Sequence, residues 1–256
     1  MNRLAYIEVK IARAQVHLDA LNREIGIYLQ DAYTVSRNDD IENARHICRT
    51  EQNAIPPIIG MLLGEFLYCL RSGLDQAAWQ LALPTAKRDF PRDIYFPIVE
   101  ERSKRLNTVL GYFPSAVAKE IELLQPYNGL GAPEDHPLWQ LNFLCNFDKH
   151  KVVPLASTSF PIFVPVNDAV LVKDFEYTVE VSIPLSDKKD LDFRPQVPSQ
   201  VEFGDWGSDI RIPRQRLADI HGFIKCTVIA KLARFFIDIP DTPLCRADLV
   251  GPVYES

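Results

Sequence analysis

Two short runs hold most of the polar chemistry that this chain could use. In Leu70-Arg71-Ser72-Gly73-Leu74-Asp75 a guanidinium and a carboxylate lie four residues apart, a spacing that places them on one face of a helix. In Asn142-Phe143-Leu144-Cys145-Asn146-Phe147-Asp148-Lys149-His150-Lys151 an amide, a carboxylate, ammonium groups and an imidazole crowd the end of another helical pattern. Histidine is the side chain best suited to proton transfer near neutral pH, and a carboxylate such as Asp75 or Asp148 can orient it through one ring nitrogen. Arg71, Asp75, Asn146, Asp148, Lys149 and His150 therefore form the candidate catalytic set. His150 would act as general acid or base, and Arg71 would stabilise the charge of a phosphorane. Each run also has a purely structural reading. Arg71 and Asp75 would make an internal ion pair that fixes helix register, and Lys149, His150 and Lys151 would complement the negative end of a helix. For the catalytic reading, two helices must bring Arg71 and His150 together.

The surrounding sequence predicts those helices. Leu4, Ile7, Ile11, Ala14, Leu18, Leu21, Ile25 and Leu29 recur at three- and four-residue spacing, giving one long amphipathic helix from about residue 2 to 31. Tyr33 to Ile55 suits two short strands joined by a turn at 36–40. Pro56 and Pro57 open a second helix, about 58–83, which is apolar on nearly every side and so should be central. Shorter helical patterns follow at about 100–110 and 114–124, and a further helix runs from 136 or 137 to about 150. Short β-rich runs at 152–155, 162–166, 169–172, 178–183 and 201–203 predict an antiparallel sheet, and a last long helix covers about 213–237. Strands and helices do not alternate, so the expected fold is α+β. It is a single domain over 1–256, with a bundle of long antiparallel helices (about 1–32, 56–150 and 213–238). A β-rich insertion at about 151–205 precedes the last helix.

Composition narrows the function classes. A hydrophobic share of 47% over 256 residues supports a large core, and a net charge of −6 gives no global attraction for nucleic acid or an anionic membrane, so any RNA contact is local. The first ten residues lack the apolar run of a secretory signal, and the apolar stretch 55–70 is broken by Pro56, Pro57 and Glu65. A cytoplasmic location without a membrane span is the expectation. The five cysteines are scattered and read as mostly buried thiols. Phosphate-cradling glycine loops, serine elbows, paired-histidine zinc helices and calcium loops are absent from the sequence, so neither a metal nor a cofactor is expected. His17, His46 and His136 read as surface or capping residues, and Tyr127, Trp139 and Phe147 as core aromatics rather than base-stacking groups.

The runs Leu70 to Asp75, Phe96-Pro97-Ile98, Leu124-Gln125-Pro126-Tyr127 and Asp148-Lys149-His150-Lys151 resemble the recurring motifs of a widespread group of uncharacterised bacterial proteins. That resemblance covers about residues 4–153 and implies that these motifs matter, without supplying a reaction. More distantly, the chain is similar to the HEPN superfamily of helical bundles, which includes metal-independent ribonucleases of toxin and antiphage systems. The superfamily motif is an arginine, often followed by a polar residue, then a histidine after four to six intervening residues. Cys145-Asn146-Phe147-Asp148-Lys149-His150 matches the polar residue and the histidine but has cysteine where arginine belongs, so Arg71 would have to supply the guanidinium from the neighbouring helix. A literal match, Arg216 to His221, carries leucine after its arginine and is a frequency chance alone would give.

Two functions follow as expectations. One is a HEPN-like, metal-independent ribonuclease or related defence protein that binds RNA locally. The other is a non-catalytic binding or assembly protein, with a protein partner or a homo-oligomer, whose buried charges are structural. The second predicts that Arg71, Asp75 and Asp148 are fully buried and mutually paired.

Overall fold

The computed structural model describes residues 3–43, 45–83, 86–87, 94–150, 155–157, 171–175, 178–184, 201–204 and 210–236. Helix α1 (Arg3–Gln30) buries Ile7, Ile11, Ala14, Leu18, Leu21 and Ile25, the stripe that its spacing predicts. Helix α2 (Pro57–Leu81) begins on the Pro56-Pro57 pair, where missing amide hydrogens cost nothing. The two helices run antiparallel: Lys10 Nζ donates to Ser72 Oγ at 3.0 Å, and His17 pairs with Glu65 at 2.9 Å seven residues further along α1. Gly73 permits their close approach, because a Cβ there would fall 2.8 Å from Ile11 Cδ1. By length and mean hydropathy (1.2) α2 could cross a bilayer, but it is packed on α1 and buries Leu63, Phe66, Leu67, Leu70, Leu74 and Leu81.

Helix α3 (Lys104–Leu110) starts later than the pattern from residue 100 suggests, because Ser103 caps it by accepting the Leu106 amide at 3.1 Å. Helix α4 (Ser115–Leu123) follows, then two 3-10 turns and α5 (Pro137–His150). α5 runs antiparallel to α2, with Cys145 Sγ near the Leu67 carbonyl and Asp148 beside Gly64. The last helix is not a regular α-helix throughout: α6 (Gln215–Phe223) passes through a π-helical stretch, Ile224–Ile229, into α7 (Ala230–Ala233). Its Lys231 and Arg234 both pair with the buried Glu120 carboxylate of α4, which ties the region of α7 to the bundle.

The strands are antiparallel but lie in two sheets, and not all of them come from the insertion before the last helix. The hairpin β1 (Tyr33–Asp40) and β2 (Arg45–Gln52) joins β5 (Thr178–Pro184) and β4 (Leu171–Phe175) in the order β1-β2-β5-β4. Cys48 opposes Val181 in that register. The hairpin turn is held by Asp40, whose carboxylate accepts from the Asn43 backbone and side-chain amides, which lowers its pKa. A second sheet joins β3 (Leu155–Ser157), β6 (Val201–Gly204) and β7 (Arg211–Pro213), with Phe203 and Ile212 in the core. Of the expected β-rich runs, 162–166 lies wholly outside the described residues, as do 152–154 of the run 152–155 and 169–170 of the run 169–172. The architecture is an α+β helical bundle with antiparallel sheet, and one hydrophobic cluster runs from Ile7 to Leu232.

Candidate functional site

Three of the four sequence motifs meet at one extended segment, Tyr95–Val99, which lies between α2 and α3. Extended backbone needs hydrogen-bond partners, and here side chains supply them instead of a neighbouring strand. Arg71 Nη2 donates to the Phe96 carbonyl at 2.9 Å, and Asp75 Oδ1 accepts the Phe96 amide at 3.1 Å. The same two side chains bridge one another, Nη2 to Oδ1 at 3.0 Å and Nε to Oδ2 at 3.2 Å. From the other side Gln125, fully buried, accepts the Val99 amide at 3.1 Å and donates to the carbonyls of Pro97 at 2.9 Å and Ile121 at 3.0 Å. The segment is therefore strapped by an ion pair on α2 and an amide just past α4.

Behind this strap opens a cleft of about 610 Å³, lined by Arg71 and Asp75 of α2, Tyr95 and Pro97 to Val99 of the strap, and Ser103, Arg105, Leu106 and Val109 around α3. Asn142, Cys145, Asn146 and Lys149 of α5 complete it. Its size falls in the range of small-molecule sites. Residues 142, 145, 146 and 149 form one helical stripe, which explains why a single helix supplies four lining positions. Three cations line the cleft against one carboxylate, and that carboxylate is already engaged with Arg71. Arg105 and Lys149 make no ion pair or hydrogen bond among the described residues, and both are exposed at the cleft. The cleft thus carries uncompensated positive charge beside neutral donors, the Asn142 and Asn146 amides and the Ser103 hydroxyl.

The sequence-predicted residues do not all share this place. Arg71, Asp75, Asn146 and Lys149 line the cleft. Asp148 does not. About 100° of rotation per residue sets position 148 well off the stripe, and its carboxylate lies over α2, where a Cβ on Gly64 would be 2.9 Å from Oδ1. Burial against that helix raises the Asp148 pKa above its ordinary value. His150 is the last residue of α5, four positions on from Asn146, and its side chain lies outside the described atoms. The full mutual burial and pairing of Arg71, Asp75 and Asp148 is not seen among the described residues: Arg71 and Asp75 are 16% and 36% exposed, and their ion pair is with each other and not with Asp148. Arg71 Nη1 is buried and makes no hydrogen bond among the described residues.

Cys145 lines the cleft as a neutral thiol. Burial pushes it up to about 12 against a smaller lowering by the Arg71 charge, so it is no thiolate nucleophile near neutral pH. Of the other described cysteines, Cys69 is half-buried and Cys226 exposed, so burial of the thiols is not general. No family model, curated protein or solved structure matches this chain.

The literal arginine-to-histidine match is dispersed. Arg216 donates to Gln140 at 3.2 Å and to the Asp135 carbonyl, whereas buried His221 bonds the Ile11 carbonyl at 3.0 Å. Both are scaffold contacts. His136 does cap a helix, its Nδ1 accepting the Leu138 amide at 3.2 Å, while His17 Nδ1 lies 2.9 Å from the Glu65 carboxylate. Trp139 stacks on Phe143 at 5.1 Å and donates to Glu100 at 2.6 Å, a packing role. Sequence reasoning missed Gln125 as a strap and Ser103 and Arg105 as lining residues. The run Leu124 to Tyr127 flagged the first, and nothing local flagged the others.

Proposed function

We propose that the cleft holds a phosphate of an RNA strand and that the protein is a HEPN-like, metal-independent ribonuclease. The reading is carried by one observation: Arg71, Arg105 and Lys149 surround a cleft whose single lining carboxylate is already spent on Arg71. Such a site attracts an anion and gives a divalent cation little to bind. Lys149 and Arg105 grip the phosphate, Asn142 and Asn146 offer amides to its oxygens or to the adjacent sugar, and Arg71 with Asp75 fixes the wall that presents them. His150, next to Lys149 at the end of α5, is the proton-transfer group. As base it takes the proton of a ribose 2′-hydroxyl in the linkage beside the gripped phosphate; the 2′-oxygen attacks the phosphorus of that linkage, its bond to the 5′-oxygen breaks, and that oxygen takes up a proton. Products are a 2′,3′-cyclic phosphate end and a 5′-hydroxyl end. Asp148, turned toward Gly64, has no part in this.

The test is incubation of the purified protein with labelled single-stranded RNA in excess chelator. Cleavage with cyclic-phosphate ends by the wild type, lost in His150→Ala and strongly reduced in Lys149→Gln, is the expected result. A second reading, a non-catalytic binding protein, is favoured by the Arg71–Asp75 clamp on Phe96, which gives these two charges a structural purpose. Intact RNA with every variant, alongside wild-type binding of the strand, would establish that second reading and remove the first.

A further inference from the structure

We propose that the phosphate held in the cleft is a terminal one, a phosphomonoester, selected over an internal phosphodiester. The inference rests on the reading of the cleft as a phosphate site and names which phosphate it takes. Arg71 is neutralised by Asp75 through two contacts, at 3.0 and 3.2 Å, so its charge is not what the ligand must balance. Two lining cations are left over, Lys149 from the last turn of α5 and Arg105 from the first turn of α3, and neither has a partner among the described residues. An internal phosphodiester brings one negative charge and two free oxygens. A phosphomonoester brings about 1.5 to 2 negative charges at neutral pH and three acceptor oxygens. The monoester therefore matches both the charge and the donor supply of Lys149, Arg105, Ser103, Asn142 and Asn146. The remaining volume of the 610 Å³ cleft accommodates the sugar and base that carry it. The strand end is anchored there. The same group could arrive as a free nucleoside monophosphate, which is the second source to be distinguished.

The experiment uses the full chain with His150→Ala, so that binding is read without cleavage. One short single-stranded RNA is offered with a 5′-phosphate, a 3′-phosphate or hydroxyls at both ends, and a nucleoside monophosphate serves as competitor. One phosphorylated form should bind at least about tenfold more tightly than the hydroxyl-ended strand. That advantage should shrink between pH 7.5 and pH 5.5, as the phosphate passes its second ionisation near about 6, and should vanish in Lys149→Gln and in Arg105→Gln. A monophosphate that competes as well as the strand assigns the site to the free nucleotide and still supports the monoester. Equal binding of all three strands, or a preference that survives both substitutions, overturns the proposal. Wild-type cleavage without end preference defeats this inference and leaves the ribonuclease reading intact, and end preference without cleavage does the reverse. Failure of every strand and of the monophosphate to bind defeats both.

Discussion

Replacing Gln125 by leucine tests whether the strap is held as described. Leucine is close in size, so the change removes hydrogen bonds with little loss of packing. The side chain makes three bonds at a fully buried position, accepting from Val99 and donating to Pro97 and Ile121. At the least, the Val99 amide and the Pro97 carbonyl lose their partners, and a buried group left unsatisfied costs about 1–3 kcal/mol. A total of about 2–6 kcal/mol follows if the strap stays buried, at the upper end of single-substitution effects. In a chain of this length that lowers Tm by roughly 4–24 °C, at about 2–4 °C per kcal/mol. Urea unfolding followed by circular dichroism should show the same loss with an unchanged m-value, the sign that the native state and not the compactness of either state was altered. Gln125→Glu keeps the acceptor but loses both donors and puts a charge where none is solvated, so it should be worse. A leucine variant within 1 kcal/mol of wild type would refute the strap as a side-chain-held element.

Two further outcomes follow from the packing and the titrations. Gly73→Ala places a methyl 2.8 Å from buried Ile11 Cδ1, and overpacking of about 1–3 kcal/mol, offset by about 1 kcal/mol of helix preference, predicts a net loss that Ile11→Val partly rescues. By contrast, the atoms nearest a Gly64→Ala methyl belong to the movable Asp148 carboxylate, so this change should be neutral or stabilising, as chemical denaturation would show. Burial lowers the His136 pKa, and its Nδ1 can accept the Leu138 amide only when unprotonated there. The folded state thus binds fewer protons than the unfolded one, so stability is full above about pH 6.5 and falls as pH drops through the folded value. His136→Gln should flatten that part of a Tm-against-pH curve.

The parts that local spacing controls were legible. Period-3.6 spacing located the buried stripe of α1 from Ile7 to Ile25, though Tyr28 and not Leu29 is buried at its end, and the four-residue interval of Arg71 and Asp75 gave their pairing. The same helical geometry rotates position 148 away from 146 and 149, so grouping Asp148 with them conflicts with the helix itself. What joins distant segments was hidden. Arg105 and Ser103 reach the cleft only because the Phe96 clamp and Gln125 fix the chain entering α3. The sequence suggests a hairpin with its turn in the polar run 36–40, but that run pairs within β1 and the turn follows Asp40, because Asp40 and Asn43 close it; the pairing with β5 depends on contacts far apart in sequence, as Cys48 against Val181 illustrates. No residue pattern announced the π-helical Ile224–Ile229 stretch.

The central claim is that Lys149 and Arg105 make the cleft an anion site. Fluorescence anisotropy of a labelled single-stranded RNA, measured over a range of salt concentrations with His150→Ala as the parent, tests it most directly. Adding Lys149→Gln and Arg105→Gln together should weaken binding by at least about tenfold. It should also reduce the slope of log affinity against log salt by about 0.7–1.4, since each single-strand phosphate contact contributes about 0.7. An unchanged affinity and an unchanged slope in the double substitution would contradict it.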